Sequence, residues 1–185
     1  MDTLMIKAVL ETGKECENLN LRPLKHTDIN DIFEYSSNEN TCKYLRWGPH
    51  NSIEETKKFL EKVLNGYDNP SDIIWGVEEN KSKKIIGLIR IYHLLDDTAY
   101  LSYVLNENYI NKGYMTEAVK GAINICFETL DFNVVNAYYI DENKASLKVM
   151  LNCGMEKRLE TRKMIKIKDF ETHLNECMIR KDSHL

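Results

Sequence analysis

The run Ile110–Val119 (INKGYMTEAV) carries the clearest chemical signal in this chain. It follows a strand-like stretch, Ala99–Leu105, and opens a helix-like stretch that ends near Leu130. A glycine-bearing turn between strand and helix aims several backbone N–H groups in one direction. The helix dipole adds partial positive charge at the same place, so an anion such as a pyrophosphate fits there. Gly113, lacking a Cβ, lets backbone and phosphate approach closely. Plain strand-to-helix punctuation accounts for a lone glycine turn equally well. No Lys-Ser/Thr pair follows the glycine, which argues against a P-loop. A second stretch, Asp141–Met155 (DENKASLKVMLNCGM), joins a strand end to a short helix and places Asn143 and Ser146 within one helical turn of each other.

The elements that must position these residues are legible from periodicity. Leu19–Leu24 alternates leucine with polar residues and reads as a short strand stopped by Pro23. Thr27-Asp28 resembles a helix N-cap, with Ile29, Ile32 and Phe33 as the apolar face. Ser52 followed by Glu55 forms a capping box for a helix Ile53–Leu64 closed at Gly66. Ile73–Glu78 and Lys84–Leu95 read as strands joined at Glu79–Ser82, and Thr98–Leu105 as a third. From about Thr116, Ala118, Val119, Ala122, Ile123, Cys126 and Phe127 recur at helical spacing. Val134–Ile140 is rich in β-branched and aromatic residues. Ala145–Asn152 is a short helix closed by Gly154, and Glu156–Lys168 with His173–Arg180 reads as a closing antiparallel pair. The order predicts an α/β fold: one mixed sheet with helices on both faces.

Composition sets the outer limits. The 185 residues are 43% hydrophobic and 29% charged, as in one ordinary globular domain. A net charge of −4 is the wrong sign for a protein whose main partner is nucleic acid. Five widely spaced cysteines without a C-x-x-C support neither a disulfide framework nor a structural metal. Cys126 and Cys153 read as buried small hydrophobes. The first ten residues make a poor signal peptide, and no run is long enough to span a bilayer. A cytoplasmic location without membrane attachment is the expectation, as a monomer or a homodimer.

Together with Tyr103-Val104-Leu105, the Lys112–Ala118 and Asn143–Met155 segments resemble the GNAT acyltransferase superfamily, in particular its ribosomal-protein N-terminal acetyltransferase branch. Leu21-Arg22-Pro23-Leu24 with Thr27-Asp28 resembles that branch's first strand and turn. The resemblance runs from about Asn20 to Lys181, giving a single domain over 19–182 preceded by an N-terminal extension over 1–18. It implies a mostly antiparallel central sheet splayed in its middle. It also implies acetyl transfer from acetyl-CoA to a primary amine, a protein N-terminus or a small molecule, by direct attack in a ternary complex.

The site residues follow from the resemblance. Free backbone groups at Val104 and Leu105 would pair with the pantetheine amides. Asn111, Lys112, Gly113, Tyr114, Met115 and Thr116 would cradle the pyrophosphate. Asn143 would bind CoA, and Ser146 would bond the thioester sulfur or protonate the leaving thiolate. Tyr44, Arg46, Trp47 and Tyr100 border the place where the acceptor would lie. Several positions depart from the superfamily's pattern. Ile110, Asn111 and Met115 stand where Arg or Gln, Gly, and Gly or Ala are usual, Met150 where a tyrosine acid is common, and Tyr100 where a glutamate base is common.

Each residue also has a plainer reading. Ser146 can satisfy a backbone N–H at a helix start, and Asn143 can be only a cap. Tyr100 and Tyr103 suit strand packing, Tyr44 and Trp47 suit an aromatic staple under a loop, and His93 is an isolated strand histidine. A catalytically silent acyl-CoA-binding module is the alternative from another class.

Overall fold

The computed structural model describes residues 2–184. Helix α1 (Thr3–Thr12) leads into β1 (Lys14–Glu15) and β2 (Leu19–Arg22), followed by α2 (Ile29–Ser36), α3 (Glu39–Cys42) and α4 (Ile53–Gly66). A meander β3 (Ile73–Glu79), β4 (Ile85–Leu95) and β5 (Thr98–Leu105) comes next. Helix α5 (Tyr114–Asn124) then precedes β6 (Val134–Ile140), α6 (Lys144–Asn152), β7 (Glu156–Ile167) and β8 (Phe170–Arg180). The eight strands form one sheet in the order β1-β2-β3-β4-β5-β6-β8-β7, antiparallel except for the central β5–β6 pair.

Strand alternation sorts the core onto two faces. Ile73, Trp75 and Val77 of β3 point to the face covered by α1 and α5, where they meet Leu10, Val119 and Ile123. Ile74 points to the other face, where Ile32 and Tyr35 of α2 pack with Leu60 and Val63 of α4. A smaller cluster joins Ile140 to Ile167 and Leu174 at the tip of the β7–β8 hairpin, with Tyr44 against it. Lys168 in that tip donates to the Cys42 carbonyl at 2.7 Å, so the hairpin is tied to the loop after α3.

Some local expectations shift. Asp28 does not cap α2 through its side chain. It is buried and takes both terminal nitrogens of Arg22 at 2.9 Å plus the Lys25 N–H at 2.7 Å. Helix α2 still starts at Ile29, directly after a 3-10 turn over His26–Asp28. Ser52 does cap α4, but the Glu55 carboxylate reaches back to the Asn51 N–H rather than to Ser52. Helix α5 begins two residues earlier than its periodicity indicates and ends in a π turn, Ile125–Thr129. Cys126 and Cys153 are buried, and all five cysteines are free. Among the described residues no helix is long and apolar enough to cross a membrane.

The first eighteen residues, set apart in the sequence as an extension, add a helix and an edge strand to this same body. Ile6, Val9 and Leu10 are buried in the main core, and Leu10 O accepts the indole N–H of fully buried Trp75 at 2.9 Å. Truncating Leu10 to alanine is expected to remove about 2–5 kcal/mol. Thermal denaturation should then show a melting temperature lower by roughly 4–20 °C for a chain of this size. An unchanged melting temperature would make the N-terminal helix an appendage.

Candidate active site

The site is built where β5 and β6 part. The two strands pair in parallel from Thr98↔Val134 to Leu101↔Ala137 and no further. Beyond that point β5 stays paired with β4 as far as Leu105, and β6 stays paired with β8 as far as Ile140. Residues 103–105 of β5 thus carry backbone groups with no strand partner on the β6 side. Unpaired backbone donors and acceptors demand partners, and an extended amide chain supplies them.

Helix α6 stands in the gap. Asn143 is its N-cap, with Oδ1 accepting the Ser146 N–H at 3.1 Å. Asn143 therefore takes the capping role, while Ser146 does not. The Ser146 hydroxyl instead lies 3.0 Å from the Tyr103 hydroxyl, which is also 3.0 Å from the Ser146 carbonyl. Burial pushes the Tyr103 phenol well above its ordinary range, countered in part by the bond to Ser146, so it remains a protonated donor.

Two cavities open on either side of this junction. One, of about 590 Å³, runs along Val104, Leu105, Asn111, Gly113–Thr116 and Val149. The other, of about 810 Å³, is walled by Tyr44, Arg46, Arg90, Tyr92, His93, Tyr100 and Tyr138. Tyr44, Tyr103, Asn143 and Ser146 line both.

The first cavity ends at the turn before α5. Asn111 and Gly113 are both left-handed, at φ 61° and 84°. The N–H groups of residues 111–116 make no hydrogen bond among the described residues, and the first bond into the helix is Glu117 N–H to Gly113 O at 3.0 Å. A run of free N–H groups at a helix start is an anion cradle. The turn is held from both sides. The Glu117 carboxylate takes the Asn18 N–H and Nδ2, and Tyr114 donates to Glu79 at 2.6 Å. Lys112 does not line the cavity, and its ammonium lies over the Tyr109 ring, 4.8 Å from the centroid.

The remaining sequence-predicted residues divide. Tyr44 and Tyr100 face the larger cavity, as does His93, aimed there by an irregularity between Tyr92 and Leu95. Trp47 does not. It is partly exposed and packs at a tilt against His50, 5.4 Å between centroids and 38° between planes, the loop-staple arrangement. Met150 is buried in the core. The sequence reading missed Arg90, Tyr92 and Tyr138. Their signal was period-two alternation with Ile89, Ile91 and Ala137, which sends them to the face opposite the core.

A fold of this topology, with a strand splay leading to an amide-lined turn, is shared with known acetyltransferases. A family profile for the acetyltransferase (GNAT) domain matches residues 18–156, and the chain belongs to that family. The uncharacterized N-acetyltransferase YoaA of Bacillus subtilis is 25% identical over 145 residues, covering 77% of this chain and 82% of that protein. A GNAT-family acetyltransferase of Bacillus anthracis superposes with a TM-score of 0.80 at 23% identity, over 91% of this chain and 98% of the other. The spermidine N-acetyltransferase of Vibrio cholerae, solved with CoA and spermine, does so at 0.75 and 18%, over 90% and 98%. The protein is an acetyl-CoA-dependent N-acetyltransferase.

A Cβ built on Gly113 meets nothing within 4 Å, but its φ of 84° is one that a β-branched residue avoids. CoA at about a hundredfold over its dissociation constant should add ~2.7 kcal/mol and raise the melting temperature by about 5–10 °C. In Gly113→Val the turn must change and the open space fills. Calorimetry should show CoA affinity reduced at least about tenfold, equivalent to ~1.4 kcal/mol. Unchanged affinity in a folded variant would place the phosphates elsewhere.

Proposed function

We propose that acetyl-CoA lies in the smaller cavity, an amine acceptor enters through the larger one, and the amine attacks the thioester directly at the junction between them. The single observation that carries this is the meeting of the two cavities at the β5–β6 splay, beside Tyr103 and Ser146. Among the described residues no cysteine lines either cavity, so a covalent acyl-thiol intermediate has no nucleophile there. Catalysis then rests on positioning and on stabilising the developing oxyanion.

Val104 and Leu105 offer the backbone edge for pantetheine, the 111–116 turn takes the pyrophosphate, and Asn143 fixes the start of α6. The acceptor is a primary amine, of a protein N-terminus or a small molecule. Ser146 acts on the leaving thiolate. The single Tyr103 proton goes either to the Ser146 carbonyl or to Ser146 Oγ, and in the second arrangement the serine proton is free to point at sulfur. Tyr103 is thus a positioning residue for Ser146. Ser146→Ala is expected to lower kcat by about 10–100-fold with little change in acetyl-CoA affinity, because the contact acts in the transition state. Tyr103→Phe should lower kcat in the same direction by less. Wild-type turnover in Ser146→Ala would reduce that residue to a helix component.

Among the described residues no carboxylate stands beside Tyr103 and Ser146 to deprotonate the amine; Glu107 lines the smaller cavity but is held by Asn38 Nδ2. Asp96 lines the acceptor cavity but lies beyond Thr98, more than about 15 Å along the strand from Tyr103 at ~3.3 Å per residue. Glu176 is buried, does not line the cavity and faces Arg158 at 3.6 Å. The amine must therefore arrive neutral, which favours α-amino groups, with a pKa near ~7.7–8.0, over lysine side chains near ~10.4. The value of kcat/KM should rise with pH along the acceptor's own titration. A second limb in the profile that disappears in His93→Gln would instead make that imidazole the base. CoA binding without acetyl transfer to any amine would favour a silent acyl-CoA-binding module.

A further inference from the structure

The acceptor cavity has an internal order that bears on what it takes, and the inference rests on the reading of that cavity given above. Register places Ser102 opposite Arg90 and Tyr100 opposite Tyr92 across β4 and β5. Moving away from the junction at Tyr103, an acceptor therefore meets the Arg90 level first and the Tyr92–Tyr100 level next. These lie about 3 and 10 Å along the strand at ~3.3 Å per residue. Asp96 comes only at the far mouth.

The second level is aromatic on several sides. Tyr100 stacks on Tyr138, 5.3 Å between centroids and 26° between planes, and Tyr92 lies 5.8 Å from Tyr100. His93 completes the cluster, 5.1 Å from Tyr92 and edge-on to Tyr100 at 5.8 Å, and such a group of rings offers apolar, polarisable surface for a planar group to pack against.

Two arginines line this cavity. Arg90 is neutralised by its ion pair with Asp72 and lies over Tyr92, 5.1 Å from the ring centre. Arg46, on the loop held by the β7–β8 hairpin, also lines the cavity. It makes no ion pair or hydrogen bond among the described residues. The two carboxylates that might answer it are spoken for or distant, Glu176 beneath the tyrosines with Arg158 and Asp96 at the mouth. A polyamine, which needs carboxylates along its length, finds none near the junction. A guanidinium without a partner is a fork for carboxylate or phosphate.

We propose that the acceptor is a small amine carrying both a planar ring and an anionic group, the ring seated on Tyr92, Tyr100 and Tyr138 and the anion on Arg46. The anion, carboxylate or phosphate, sets specificity, while the amine reaches back to the junction.

The test uses matched pairs on the full-length protein loaded with CoA. L-phenylalanine is compared with L-phenylalaninamide, tyramine phosphate with tyramine, and spermidine stands as the cationic control. Dissociation constants come from calorimetry. Acetyl transfer is read separately by mass spectrometry with acetyl-CoA. The anionic member of at least one pair is expected to bind about tenfold more tightly, the pair showing it telling carboxylate from phosphate. Arg46→Gln, with an unaltered melting temperature, should shrink that preference to within about twofold. Equal affinities within both pairs, a preference for spermidine, or a preference that survives Arg46→Gln would overturn the proposal. Binding preference without acetyl transfer would uphold the anion subsite and overturn the catalytic reading instead.

Discussion

The constraint on which this protein depends is the limited reach of the β5–β6 pairing. Two parallel strands that bond for four residues and then separate leave a wedge in the middle of an otherwise continuous sheet. The wedge would close or fill with water were it not propped. Tyr103 on one strand and Ser146 on the helix after the other meet at 3.0 Å and set its width. Everything functional is referred to that gap. The free edge of β5 lines one cavity, the uncovered sheet face lines the other, and both open on the same pair of hydroxyls.

The anion turn depends on the same economy of structure. Among the described residues nothing competes for its N–H groups, and they stay aligned because α5 is anchored along its apolar face by Met115, Ala118, Val119 and Ala122. Glu117 and Tyr114 pin the first turn of that helix to β1–β2 and β3. What the turn offers an anion is neutral amides and the helix dipole. The Lys112 ammonium is drawn aside over Tyr109, while Lys148 lines the same cavity from α6.

On the acceptor side the scaffold is asymmetric. Helices α2 and α4 cover Ile74 and Leu88 but stop short of Arg90, Tyr92, Tyr100 and Tyr138. The loop after α3 and the β7–β8 tip close over the remainder, joined through Lys168 and the Tyr44 cluster. Arg90, Tyr92, Tyr100 and Tyr138 thus sit on the sheet, while Arg46 is delivered to the same cavity by a loop.

Apart from α1, β1 and the short α3, the order of strands and helices was legible in the sequence, as were the glycine turn and the start of α6, because hydrophobic period and cap chemistry are local. So was the likeness to an acetyltransferase, carried by Gly113, Asn143 and Ser146 at their separations. Local pattern also fixed that Arg90, Tyr92 and Tyr138 leave the core, although not what they would face. The rest was decided by contacts between residues far apart in the chain. Asp28 left its cap for Arg22, Trp47 turned to His50 and away from the acceptor, and α1 entered the core through Leu10 and Trp75. Tyr103 reads as a packing residue in any strand pattern. Only the splay of β5 from β6 brings its hydroxyl to Ser146, 43 residues away, and no periodicity within either segment encodes that meeting.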